Sequence, residues 1–211
     1  MPQIARMRLA LDRIDILCLA YRNDAIEDAI LEAARTLVDR GLVRSIMVSS
    51  HDRPTLVGLS ANASIDTLMV RYNAGHRGAE EEVFPAARRQ GKSVLAYTAT
   101  RWGSLLDPAS LPRDLPRPRG SDCYRFVLSH PAVTACLFGP ANEVEMLEAI
   151  AALERGPMSE DELAWMRRVG DHVHAHRTQA PPLGIGDYAR GIARSIREHG
   201  LTEDLLSRFN R

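Results

Sequence analysis

Three short polar clusters interrupt apolar runs in this chain, and each holds residue types that can grip or polarise a ligand. Ser49, Ser50, His51 and Asp52 follow the apolar residues 45–48; Arg71, Tyr72 and Asn73 follow 67–70; Thr98, Ala99, Thr100 and Arg101 follow 93–97. Hydroxyls donate and accept, arginine offers a charged planar fork, and Tyr97 offers an aromatic face. An apolar run that breaks abruptly into such residues reads as the C-terminal end of a buried strand. In parallel α/β sheets and barrels that end holds the ligand. Each cluster also has a plainer reading. Serines at a strand end can cap the next helix, and Tyr97 can simply fill a barrel mouth. Arg71 and Arg101 can hold a phosphate or a substrate carboxylate, but an ion pair with the Glu80, Glu81 and Glu82 run or another surface acid is the favoured reading. His172 and His176 share a helix face with His174 between them, yet no carboxylate or cysteine stands at matching spacing. A solvated helix end is therefore favoured over a metal site. Trp102 and Gly103 read as a packing anchor. Arg113, Arg117 and Arg119 could cover a pyrophosphate or belong to a mobile loop.

Strands and helices must alternate to bring these clusters together. Residues 14–20, IDILCLA, are nearly all apolar, as in a strand buried on both faces. Further strands are expected over 45–48, 67–70, 93–97 and 132–138. Helices are expected over 3–11, over 25–40 with Asp24 as N-cap and Gly41 as stop, and over 53–59 with Pro54 in the first turn. A helix over 80–89 would carry its acids first and its bases last, as the helix dipole favours. Ser121 is expected to cap a helix to His130. Helices over 142–155 and 159–174 follow, the second opened by a Ser159–Glu162 capping box. Four prolines between 107 and 120 exclude a regular helix or central strand there. Residues 178–211 are expected to form a Pro/Gly linker and an amphipathic helical tail, leaving 1–177 as the main domain.

The alternation predicts an α/β fold, either a β/α barrel or a doubly wound sheet. No G-x-G-x-x-G follows the first strand, which weakens a Rossmann reading. Five strands are too few to close an eight-stranded barrel. The 27 basic and 27 acidic residues balance and are dispersed, so no footprint for nucleic acid or an anionic membrane is expected. No signal-peptide core or membrane span is expected either. Cys18, Cys123 and Cys136 lie far apart, and Cys18 and Cys136 sit within apolar runs. Buried reduced thiols and a cytoplasmic setting are the expectation.

The blocks RYNAGHRGAEEEVFP, SVLAYTATRWGSLL, SHPAVTACLFGPAN and MSEDELAWM, in this order over residues 7–174, resemble the aldo/keto reductases. That resemblance implies a (β/α)8 TIM-type barrel. The five parallel strands would correspond to its fourth to eighth strands, followed by C-terminal helices. It also implies carbonyl reduction with a nicotinamide dinucleotide, NAD(P)H, bound without a glycine-rich loop.

In the family a Tyr, Lys, Asp and His tetrad handles the proton. The resemblance places the first three in barrel strands that this chain does not match, and the His on Ala20. Tyr21, next door, would point to the opposite face, so no catalytic residue is expected here. The cofactor side is better represented. The carboxamide-holding pair falls on Ser49 and Ser50, and the nicotinamide-stacking ring on Tyr97. Thr98 and Thr100 open the pyrophosphate loop, and Gly139 to Asn142 form the turn over the adenosine phosphate. An adenine contact falls on Glu148. A glutamine of that site falls on Met69, and the arginine that grips the 2′-phosphate falls on Glu145. NADH should therefore be tolerated better than NADPH. The substrate would be a small carbonyl compound. The alternative is a non-catalytic barrel remnant that binds a dinucleotide or a protein, with a homodimer formed through open sheet edges.

Overall fold

The computed structural model describes residues 12–21 and 25–176. Its sheet contains β1 (Ile14–Tyr21), β2 (Val43–Ser50), β3 (Thr67–Arg71), β4 (Ser93–Tyr97) and β5 (Ala135–Cys136). All neighbours are parallel, and the spatial order is the sequence order. A doubly wound sheet reverses its strand order at a switch point; this one never does, which is the progression of a β/α barrel wall. The helices are α1 (Asp28–Asp39), α2 (Arg53–Ser60), α3 (Val83–Arg89), α4 (Gly120–Leu128), α5 (Glu143–Arg155) and α6 (Glu160–Ala175).

The strand pleat sorts the side chains into two faces. Val48, Leu68, Val70, Val94 and Ala96 turn towards the helices and pack with Leu56, Val83, Phe84 and Phe126 in the main core. Met47, Ser49, Met69, Leu95 and Tyr97 alternate with them and so form the inner wall. Because every strand runs the same way, all the strand-end clusters gather at one rim.

Several local expectations need correction. β1 is not buried on both faces: Ile16 is 46% exposed and Cys18 is exposed. Both belong to the inner wall, and no strand among the described residues stands opposite them. Cys136 is only half-buried, whereas Cys123 is fully buried. The strand expected over 132–138 shortens to two residues, which pair with Leu95 and Ala96. Ser121 is not a cap. Helix α4 begins one residue earlier, with Arg119 as N-cap and the Asp122 carboxylate accepting the Arg119 N–H at 2.8 Å. The acidic run does not open a helix either. Glu80 ends a short 3₁₀ turn (Gly78–Glu80), and α3 starts at Val83.

The expected Ser159–Glu162 capping box opens α6, and the structure adds two caps the sequence reading did not single out, Asp52 for α2 and Asn142 for α5. The expected helix over 3–11 and the 178–211 tail lie outside the described residues; α1 does not begin at 25 under an Asp24 cap but at Asp28, with Glu27 as its N-cap.

A chain of polar contacts ties α6 to the sheet. Tyr72 is buried, and its hydroxyl donates to Glu80 Oε1 at 2.7 Å. Both Glu80 oxygens also accept from Arg167 of α6, whose guanidinium lies over the Phe126 ring. Burial, then the Glu80 hydrogen bond, pushes the Tyr72 phenol far above its ordinary range. Tyr72 therefore belongs to the core, and the strand-end cluster is split between core and rim.

Candidate cofactor cleft

Beyond β4 the backbone enters the left-handed region at three non-glycine residues, Thr98 (φ 61°), Arg101 (53°) and Trp102 (52°). Each such residue costs on the order of 1–2 kcal/mol, so the loop holds this shape only if its surroundings enforce it. Asn73 does so. It is fully buried, its Nδ2 donates to the Thr98 carbonyl at 2.9 Å, and its Oδ1 accepts the Gly75 N–H at 3.1 Å. The Tyr72 N–H adds a bond to the Tyr97 carbonyl. Asn73→Ala should remove about 1–3 kcal/mol by orphaning buried backbone groups. Amide exchange over 98–106 should then speed up at least tenfold, while that of α1 stays unchanged. Unaltered protection over 98–106 would show that the loop is held by something else.

The loop forms one wall of a cleft of about 640 Å³ at the C-terminal rim. Thr98, Thr100, Tyr124, Phe138, Gly139 and Glu148 contribute to its lining. Thr98 Oγ1 is buried without a hydrogen-bond partner, and Thr100 Oγ1 accepts the Gly103 N–H at 3.4 Å. A side chain at Gly139 would meet nothing within 4 Å, so the backbone there is open to a bulky group. Tyr124 and Phe138 meet edge to face with centroids 6.3 Å apart. Glu148 Oε2 accepts from both the N–H and the hydroxyl of Ser121. Glu145, also in the lining, accepts the Ala141 N–H at 2.8 Å.

The remaining sequence candidates lie outside this lining. Asn142 uses its Oδ1 on the Glu145 N–H as the α5 cap. Ser49 faces the inner wall. Ser50 faces the helices, and its Oγ accepts the Asp52 N–H at 2.9 Å. Tyr97, half-buried on the inner wall, stacks on His51 at 5.9 Å and leads directly into Thr98. The arrangement is thus a cleft at one end and a stacking ring with a serine at the other, along one rim.

Three bland readings change. Arg71 makes no ion pair with the acidic run, because Glu80 is held by Arg167 and Tyr72, and Glu82 by Arg53 at 2.8 Å. Its Nη2 instead lies 3.0 Å from His76 Nε2. A guanidinium can only donate, so Nε2 accepts and the His76 proton sits on Nδ1. Burial, then the Arg71 charge, pushes His76 down to about 4. Trp102 is 66% exposed and anchors nothing by packing. The proline-rich loop is tied instead by Trp165, whose Nε1 donates to the Pro116 carbonyl. His172 and His176 stack at 4.0 Å, and no metal-binding group of three occurs among the described residues.

Sequence reasoning missed Asn73 as a clamp and the Tyr124–Phe138 pair. The first carried a signal in its place beside the strand-end arginine; the second came from two elements with no shared motif.

The model of the Aldo/keto reductase family matches residues 4–122. Solved structures with this fold include an aldo-keto reductase from Bacillus halodurans in its holo form, with a TM-score of 0.67 and 22% identity. The match covers 80% of this chain and 65% of that one. An aldo-keto reductase from Klebsiella pneumoniae in complex with NADPH gives a TM-score of 0.66 and 24% identity, covering 81% and 63%. This chain thus spans less than two thirds of either structure. No curated protein matches it significantly. No helix among the described residues is long and apolar enough to cross a membrane.

Proposed function

The chain belongs to the aldo/keto reductase family, and we propose that it carries the nicotinamide-dinucleotide side of that barrel, without the proton-handling residues. The observation that carries this reading is the convergence of Thr98, Thr100, Gly139 and Glu148 on one cleft. The residues fit the group in part. Thr98 supplies an unused hydroxyl for a phosphate oxygen, and the open backbone at Gly139 leaves room for the adenosine. Tyr97 offers its face, and Ser49 a hydroxyl, to the nicotinamide amide. Met69 cannot make a glutamine's hydrogen bonds to that amide. The bound dinucleotide would supply a hydride; this chain's residues would orient it and exclude water.

Glu145 at the cleft sets the expected preference. A carboxylate there repels a 2′-phosphate, which favours NADH over NADPH. Without general acid assistance, worth roughly 10²–10⁴-fold, reduction of a small carbonyl substrate should be very slow on this chain alone.

Fluorescence titration with NADH and NADPH, beside turnover of a generic aldehyde, tests both statements. Saturable NADH binding is expected, weaker NADPH binding, and negligible turnover. Tyr97→Ala and Ser49→Ala should each weaken NADH about tenfold, roughly the worth of one stacking or hydrogen-bond contact. Glu145→Gln should narrow the gap between the two dinucleotides. A folded chain that binds neither would end the cofactor reading.

A second reading, a protein-interaction module, is favoured by exposed apolar residues. Ile16 on β1 is one, and Val144, Leu147 and Leu153 of α5 are 72%, 58% and 71% exposed. Among the described residues no further strand pairs with β1 or β5, the two edges of the sheet. A concentration-dependent dimer in light scattering, lost in Leu147→Glu, would support it.

A further inference from the structure

Arg71 is a charged group of this rim with one polar side-chain contact among the described residues. It ends β3, on the inner wall beside Tyr97, its register partner. Its Nε is buried with no hydrogen-bond partner, and its one polar contact among the described residues is the His76 ring. Glu80 is committed to Arg167 and Tyr72, Glu82 to Arg53 and Asp171 to Arg77, and no ion pair joins Arg71 to a carboxylate among the described residues. Other positive charges act on the same histidines. Arg71 pushes His51 down after burial does, and Arg53 and Arg101 add to its effect on His76. A buried guanidinium N–H without a partner is costly, and folded chains rarely leave one unanswered.

Guanidinium presents two parallel donors that match the two oxygens of a carboxylate or phosphate. The neutral His76 ring accepts from Nη2 and so steadies the fork without neutralising it. We propose that Arg71 anchors a binding site for a small oxyanion, a carboxylate or a phosphate group, on the inner wall at the open mouth of the sheet. The ligand would be an oxo acid, whose carboxylate sits on Arg71 with its carbonyl towards Tyr97 and Ser49, or a phosphate of the dinucleotide. The oxyanion site stands on the geometry of Arg71 and needs no bound dinucleotide.

The test is calorimetric titration of inorganic phosphate, and separately of oxalate, into the full chain in low-chloride buffer. Saturable binding of at least one is expected. Arg71→Met should weaken it at least tenfold while the melting temperature and circular dichroism stay native. Arg71→Lys, which keeps the charge but loses the fork, should fall between the two. Absence of binding by the parent chain overturns the proposal, as does unchanged affinity in a folded Arg71→Met. Should Arg71→Met fail to fold, Arg71→Lys decides: unchanged affinity there removes the forked anchor. A final arm separates the sources. Displacement of phosphate by NADH assigns the site to the dinucleotide, and independent binding of oxalate and NADH assigns it to an oxo acid substrate. Because the first arm contains no dinucleotide, its failure is distinct from a failure of cofactor binding.

Discussion

Gly170→Ala will cost this chain about 3 kcal/mol or more and lower its melting temperature by roughly 6–12 °C, at 2–4 °C per kcal/mol for this size. A Cβ at Gly170 would lie 2.1 Å from the Ala74 oxygen, 2.2 Å from its carbonyl carbon and 2.7 Å from the Gly75 nitrogen. All three are backbone atoms, so no rotamer change relieves the overlap. Either α6 or the segment after β3 must move. That segment is itself pinned, since Asn73 holds Thr98, and His174 of α6 contacts the Gly75 carbonyl at 2.9 Å. Gly58, in α2, is the control, because a Cβ there meets nothing within 4 Å. Gly58→Ala should be neutral or stabilising by about 0.5–1 kcal/mol through helix propensity. Thermal melts that show equal effects for the two substitutions would mean that α6 does not seat on Ala74 and Gly75.

Arg125→Met should be nearly as damaging, at about 3–5 kcal/mol, because it breaks a buried charge network rather than replacing it. Arg125 is 5% exposed and uses every face of its fork. Nε donates to the Gly156 carbonyl at 2.9 Å, Nη2 to the Pro157 carbonyl at 3.1 Å, and Nη1 and Nη2 to Glu162 at 2.5 and 2.9 Å. One side chain thus joins α4, the α5–α6 turn and the first turn of α6. The substitution leaves two carbonyls and a carboxylate without that donor. Urea unfolding should show an earlier midpoint with an unchanged slope; a midpoint within error of the parent would refute the assignment.

The same network predicts an acid dependence. The hydrogen bonds from Arg125, then that from the Ser159 N–H, hold the Glu162 carboxyl down at about 2, against an ordinary 4.5. A carboxyl whose folded pKa is depressed stabilises fully above its unfolded value and loses that contribution as pH falls towards the folded one. Stability should therefore decline between about pH 5 and pH 2. Glu162→Gln should start lower at pH 7 and show a shallower decline. Parallel declines in the two proteins would assign the acid sensitivity to other carboxylates.

Much of the architecture was written in local signals. Apolar runs of strand length gave five strands. Ser159 and Glu162 marked a helix start, and Gly41 and Gly91, with φ of 68° and 63°, marked helix ends. These signals act within about four residues of chain, so the sequence displays them directly. The family resemblance added several of the residues that line the cleft.

What the sequence by itself determined, then, was the order and kind of the elements and the end of the sheet where polar residues collect. Tertiary structure alone decided which partner each polar group took. Arg71, Tyr72 and Asn73 are consecutive, yet one faces the open inner wall, one is buried against Glu80, and one clamps the loop after β4. Arg167 claims Glu80 from 87 residues away, which leaves Arg71 without the ion pair that proximity in sequence suggested. The exposure of Cys18 and Ile16 depended on what stands opposite an edge strand. Helix and strand preferences arise from each residue's own backbone and near neighbours, whereas pairing and burial arise from segments that meet only when the chain is packed.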